Sequence, residues 1–144
     1  ARPHRSLGDL VPGQPAITIL VIFRRKLRPR RHRDPRALVP AMRARGRGRL
    51  VHVASSSSTI ACPRNASYAA SKWGLLGFAK SLAEELRGSG VVSVCILPGS
   101  VDTEMLKGSG FPPQMSPQDV AHAIAWLALE APTAVHGTAL EMFG

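Results

Sequence analysis

Gly48-Arg-Leu-Val-His-Val-Ala-Ser55 runs from a glycine through an apolar, β-branched stretch into a run of serines, and Tyr68-Ala-Ala-Ser-Lys72 begins thirteen residues after Ser55. The first stretch reads as a strand over 50–54, with Val51 and Val53 flanking His52 so that one face is more buried than the other. The second reads as the first turns of a helix, where residues four apart share a face, so the Lys72 ammonium can stand beside the Tyr68 phenol oxygen. A phenol of ordinary pKa, about 10, is a poor acid-base catalyst at neutral pH, but an adjacent fixed cation favours its ionised form. Tyr68 is therefore a candidate general acid or base.

Working outward, strand and helix signals alternate as in an α/β protein. Before the strand, a helix is expected from Asp34 or Arg36 to about Arg45, with Ala37, Leu38, Ala41 and Met42 on one face and Gly46 as its stop. After it, Asn65 is placed to cap a helix with its side chain, and that role outweighs its match to a glycosylation acceptor. The helix runs to about Arg87 and ends at Gly88-Ser-Gly90. Trp73, Leu75, Leu76, Phe78, Ala79, Leu82 and Leu86 give it more apolar surface than one sheet face requires.

Val91 to Leu97 is a nearly continuous apolar run, as in a parallel strand covered on both faces. It delivers Pro98-Gly99 to the sheet's carboxyl edge, where proline fixes φ and glycine lets a flat ring approach the backbone. Glu104 to Met115 reads as a loop and lid. Ser116-Pro117 with Asp119 starts a further helix whose buried stripe is Val120, Ala123, Ile124 and Leu127, with Trp126 in the core. Gly137 to Phe143 reads as the last strand.

The spacing Ser-x12-Tyr-x3-Lys resembles the active site of the short-chain dehydrogenase/reductase family. With four lysines in the chain, one falls at a given offset from the tyrosine by chance in about 3% of cases, so the pair alone is a weak signal. The strand leading into Ser55 and the turn Pro98-Gly-Ser-Val-Asp-Thr103 strengthen it, because the latter looks like the family's Pro-Gly-x-Val-x-Thr turn. The resemblance covers about Pro40 to Gly144, the second half of such an enzyme. It implies an α/β fold, a truncated Rossmann-like doubly wound parallel sheet that lacks the N-terminal glycine-rich βαβ unit.

It also implies an oxidoreductase using NAD or NADP to interconvert a small-molecule carbonyl and an alcohol. In that reading Ser55 polarises the carbonyl, with Ser56 and Ser57 as alternatives, Tyr68 exchanges the proton, and Lys72 both tunes the phenol and hydrogen-bonds the nicotinamide ribose. Pro98, Gly99, Val101 through its backbone and the Thr103 hydroxyl hold the nicotinamide. The similar family helix pairs across a dimer interface, which implies a homo-oligomer formed through the 66–87 helix. The chain departs from the family in having no Gly-x-Gly-x-x-Gly or Thr-Gly-x-x-x-Gly-x-Gly loop; Gly74-Leu-Leu-Gly77 lies within a helix. Leu27 or its neighbours stand where the family has an asparagine.

Charge divides the chain. Fourteen of the 19 basic residues and two acids lie at or before Arg49, giving that third +12 and the remainder −2. Residues 1–36 therefore form a basic Arg/Pro-rich arm, expected to be disordered or non-native, and 37–144 the half-domain. Within the arm, Ala16-Ile-Thr-Ile-Leu-Val-Ile-Phe23 reads as a short buried strand, too short to span a bilayer and followed by no cleavage site. Such a start is expected of a truncated or frame-shifted gene product. Two cysteines, Cys62 and Cys95, expected to be small buried apolar residues, fit a reducing cytoplasm. Five scattered histidines carry no zinc spacing and read as solvated or packed rings, so no metal is expected. Two other readings remain open: a catalytically inactive remnant or interaction module, and a polyanion binder acting through the arm. The arm has little aromatic interleaving, so a nucleic-acid partner is not expected.

Overall fold

Three β-rich segments pair in parallel to form the sheet around which everything else packs. The computed structural model describes residues 35–144; the expected strand over 16–23 and nearly all of the basic arm lie outside the described residues. The order is α1 (Pro35–Ala44), β1 (Gly48–Val53), a 3-10 turn (Ser56–Ser58), α2 (Ala66–Leu86), β2 (Val91–Pro98), α3 (Pro117–Leu129), a second 3-10 turn (Thr133–Val135) and β3 (Ala139–Met142). The sheet order is β1-β2-β3, with register running from Gly48 opposite Val91 to Val53 opposite Ile96, and from Cys95 opposite Ala139 to Pro98 opposite Met142. Parallel neighbours need a crossover, and α2 and α3 supply the two.

Side chains alternate along each strand, so the sheet has two covered faces. On one, Val51, Val53, Val94 and Ile96 pack with Leu127, Ala128 and Ala131, edged by Val120, Ala123 and Ile124 of α3. On the other, Leu50 and Val91 meet Leu82, Leu86 and Met42, while Ala54, Cys95 and Leu97 meet Leu76 and Ala79. All eight residues of β2 are buried. β1 differs from its expected one-sided pattern: residues 50 to 55 are all buried, His52 completely, because helices cover both sides of the sheet.

Local chemistry sets the element ends. Gly46 has φ +64 and stops α1. Gly90 has φ +76, and a Cβ there would collide with the Gly46 carbonyl, so the turn into β2 admits only glycine. α3 opens with a capping box: the Ser116 hydroxyl accepts from the Asp119 N–H, and the Asp119 carboxylate accepts from the Ser116 N–H at 2.8 Å. Its far end is closed by Arg49, whose guanidinium donates to Leu127 O at 2.8 Å and to Ala131 O.

Several side chains depart from expectation. In α1 the inward residues are Leu38, Val39 and Met42, whereas Ala37 and Ala41 are exposed. The three larger apolar side chains reach the sheet and take that face. Asn65 stands at the N-cap of α2, but its side chain makes no cap bond and instead donates to Cys62 Sγ at 3.5 Å. Cys62 is itself half-buried, not buried like Cys95. Trp126 is 42% exposed, because the α3 stripe facing the sheet is already filled by Val120, Ala123, Ile124 and Leu127.

α2 is attached to the sheet by more than apolar contact. His52 Nε2 and Ser93 Oγ are 3.1 Å apart, and Ser93 Oγ donates to Ala79 O at 3.0 Å. The Ser93 N–H donates to His136 Nδ1 at 3.2 Å, and His136 Nε2 lies 2.8 Å from Ala83 O. Obligate partners fix the protons. A backbone N–H only donates, so His136 Nδ1 is bare and its Nε2–H donates to Ala83 O. The Ser93 proton goes to Ala79 O, so His52 Nε2–H donates to Ser93 Oγ, leaving a bare, buried His52 Nδ1 with no partner among the described residues.

Candidate active site

Because β1 and β2 run parallel, their carboxyl ends lie side by side, and the Ala54 N–H still donates to Ile96 O at 2.9 Å. Open parallel sheets bind ligands at this edge. The chain leaves β1 through Ser55, which is buried and extended, at φ −168 and ψ 158. Its hydroxyl accepts from the Ser57 N–H at 3.2 Å, capping the 3-10 turn, and its own proton has no acceptor among the described residues. Ser56 and Ser57 are turn residues; Ser58 is fully buried with its Oγ unpartnered.

α2 packs against this turn and carries Tyr68 in its first turn and Lys72 one turn later. The Lys72 ammonium lies over the Tyr68 ring, 5.6 Å from its centroid, and donates to Val53 O at 3.2 Å. The ammonium thus meets the Tyr68 ring on the shared helix face that the four-residue spacing predicts. Burial lowers the pKa of Lys72, opposed by the neighbouring Cys95. Burial likewise pushes the Cys95 thiol up to about 11, which keeps it neutral. Tyr68 is 36% exposed, so solvent reaches it. Tyr68, Lys72 and the end of β1, two residues before Ser55, are thereby brought together.

The turn after β2 is braced by its own loop. The Gly99 N–H donates to Met142 O at 2.8 Å, and a Cβ at Gly99 would stand 3.2 Å from that oxygen. A side chain there would crowd that oxygen, so the pairing with β3 favours glycine at this turn. Val101 bridges Met115, Ser100 O accepts from the Gln114 N–H at 2.8 Å, and the Asp102 N–H donates to Met115 O at 2.9 Å. Thr103 is exposed, and its hydroxyl turns back to donate to Val101 O at 3.3 Å. Beyond this turn lies an open depression of about 360 Å³ lined by Asp102, Pro113, Gln114, Met115, Ser116 and Asp119. Neither Tyr68 nor Lys72 lines it.

Sequence reasoning treated His52 and His136 as ordinary packed or solvated rings and passed over Ser93 within its apolar run. A histidine between two strand valines is a signal for a buried polar partner, but the partner, 41 residues later, is visible only once the strands pair. Burial lowers the His52 pKa to about 4, so the ring is neutral, and Phe78 meets it edge-on at 5.8 Å between ring centroids.

A profile of the short chain dehydrogenases matches residues 35–111, more than half of the chain. The chain belongs to the short-chain dehydrogenase/reductase family. Among its relatives in this family, it is 42% identical over 101 residues to a 1-deoxy-11-beta-hydroxypentalenate dehydrogenase of Streptomyces exfoliatus, covering 65% of this chain and 36% of that protein. It is 31% identical over 121 residues to the 3-oxoacyl-[acyl-carrier-protein] reductase FabG of Escherichia coli (strain K12), covering 76% and 50%. A short-chain dehydrogenase fold is also found in solved structures. A 3-ketoacyl-(acyl-carrier-protein) reductase from Brucella melitensis complexed with NADH superposes with a TM-score of 0.68 at 26% identity, over 75% of this chain and 49% of that one. An L-sorbose reductase from Gluconobacter frateurii complexed with NADPH and L-sorbose gives 0.67 at 29% identity, over 76% and 51%. The chain spans half or less of the length of these curated relatives. The parallel sheet of the described residues, with helices on both faces, matches part of the Rossmann-like fold of these reductases.

Proposed function

We propose that residues 37–144 are the proton-transferring half of an NAD(P)-dependent oxidoreductase that interconverts a carbonyl and an alcohol. The observation that carries this reading is the half-buried Lys72 ammonium set between the Tyr68 ring and Val53 O, at the carboxyl edge of a parallel sheet. The relatives named above are dehydrogenases and reductases, and the solved ones hold NADH or NADPH.

The residues present fit the nicotinamide end of such a cofactor. The Lys72 ammonium stands at the end of β1 with Tyr68 beside it, and the side-chain-free Gly99 follows the end of the neighbouring β2. The cofactor, when bound, donates or accepts the hydride. The chain's own residues handle the oxygen. Ser55 donates its unengaged hydroxyl proton to the substrate carbonyl, and Tyr68 delivers the proton as that oxygen gains charge, or removes it in the reverse direction. The Lys72 charge stabilises the phenol oxygen as its proton leaves. Lys72, Pro98, Gly99, the Val101 backbone and Thr103 would hold the nicotinamide end of the cofactor, Lys72 at its ribose and the Thr103 hydroxyl at its carboxamide.

Self-association belongs to the same proposal, supported by Trp73 and Phe78, which stand 52% and 44% exposed on α2. So does a reducing cytoplasmic setting, supported by two unbridged cysteines. No helix among the described residues is long and apolar enough to cross a membrane.

Titration of the full chain with reduced nicotinamide mononucleotide, NADH and NADPH tests the reading, followed by a carbonyl-dependent oxidation assay. Tyr68→Phe is expected to retain binding and lose about 10²–10⁴-fold in turnover, the usual range for removing a general acid. Lys72→Ala is expected to lose binding as well. Turnover that survives Tyr68→Phe would refute it.

A further inference from the structure

The interface between α2 and the sheet is apolar at both ends, with Leu50, Leu82, Leu86 and Val91 at one and Ala54, Leu76, Ala79 and Leu97 at the other. Between them lie His52, Ser93 and His136, whose hydrogen bonds end on the carbonyls of Ala79 and Ala83. Apolar contact is non-directional and tolerates small slides of one surface over another, whereas a buried hydrogen bond is lost within a fraction of an ångström. Seven residues, or about 10 Å of helix, separate Ala79 from Lys72, so any slip at Ala79 is carried along a rigid rod to the site.

We infer that His52, Ser93 and His136 are positioning residues, a polar ratchet that sets the axial register of α2 so that Lys72 meets Val53 O beside Tyr68. This rests on the function proposed above only for what Lys72 does; the register itself is independent of it. The two carbonyls they engage belong to consecutive turns of the helix, so a slide of a fraction of a turn would break both bonds together. The His136 bonds place a bare Nδ1 opposite the Ser93 N–H. Among the described residues, Glu84 on α2 lies near His136, Cys95 pairs with His52 across the strands, and Phe78 and Ser93 contact the His52 ring.

Lys72 reports the register directly, and acylation of lysines in the full chain by acetic anhydride, read by mass spectrometry across pH, needs no cofactor. Lys80, exposed on the same helix, is the internal standard. Ser93→Ala and His136→Ala are expected to raise the limiting Lys72/Lys80 rate ratio severalfold and to shift the Lys72 labelling midpoint upward, because a displaced ammonium regains water. His136→Gln, which can accept and donate at comparable positions, is expected to restore both. Should the alanine variants unfold, all lysines accelerate together, and Ser93→Cys and His136→Gln then decide the matter, the cysteine giving a ratio between wild type and the unfolded limit. Wild-type Lys72 labelling in cooperatively folded Ser93→Ala and His136→Ala would overturn the inference, whereas absence of nicotinamide binding would overturn only the functional reading.

Discussion

The two faces of the sheet are covered by different chemistry. Under α3 the buried contact is apolar, Val51, Val53, Val94 and Ile96 against Leu127 and Ala128, and its hydrogen bonds, from Arg49, lie at the helix's far end. Under α2 the apolar clusters are interrupted by His52 and Ser93. The contrast follows what each helix carries. α3 closes the core and presents no candidate catalytic group, so shape and volume suffice for it. α2 holds Tyr68 and Lys72, where misplacement of about 1 Å can cost about 10²-fold in rate. Hydrogen bonds add little net stability, about 1 kcal/mol each, but they are directional and expensive to leave unmade. A helix that must stop at one position is better held by them than by leucines alone.

The comparison can be broken most forcefully on the apolar face. Leu127→Ala is expected to cost about 2–5 kcal/mol, since it removes a buried side chain from a site lined by strand residues, while leaving Lys72 acylation unchanged relative to Lys80. Denaturant unfolding with labelling in parallel checks it. Coupled loss of stability and Lys72 protection would show that both faces set the register.

A smaller effect is expected on the polar face, and it depends on pH. The His52 pKa falls from an ordinary 6.5 to about 4 on folding because burial disfavours the charged ring. Between those values the unfolded chain binds more protons than the folded one, so stability is highest above the unfolded pKa and falls as pH drops toward about 4. The size is on the order of 3 kcal/mol at most, from about 1.4 kcal/mol for each pH unit between 6.5 and about 4. His52→Val is expected to flatten this acid limb, as measured by midpoints of urea unfolding from pH 7 to pH 4. An unchanged slope would place the acid sensitivity elsewhere.

The smallest effect separates the helix starts. Ser116→Ala removes one arm of a reciprocal cap and is expected to cost about 1 kcal/mol. Asn65→Ala at the start of α2 is expected to change thermal stability little, because its side chain bonds no backbone N–H. Equal losses would mean that Asn65 does cap the helix in solution.

Much of the fold was legible because its signals are local. β-Branched runs marked β1 and β2, glycines marked the ends of α1 and α2, and Ser116-Pro117-x-Asp119 announced α3 by its capping chemistry. The Tyr68–Lys72 pair was legible for the same reason, since helical spacing alone places the two on one face. What the sequence hid is tertiary. Ser93 sits in an apolar run, and His136 follows it by 43 residues in an irregular segment. Nothing local says that the two meet. Trp126 was misread because hydropathy measures how apolar a side chain is and not whether a neighbour is left to cover it. Thr103 was matched by motif, yet its hydroxyl rests on its own turn.

Both indoles, Trp73 on α2 and Trp126 on α3, stand 52% and 42% open to water. Native emission should therefore already be red-shifted, so tryptophan fluorescence is a poor witness to unfolding of this chain. The same wetness makes it a sensitive witness to association: a blue shift that grows with protein concentration would signal the covering of α2 by a neighbouring copy before any hydrodynamic change became measurable.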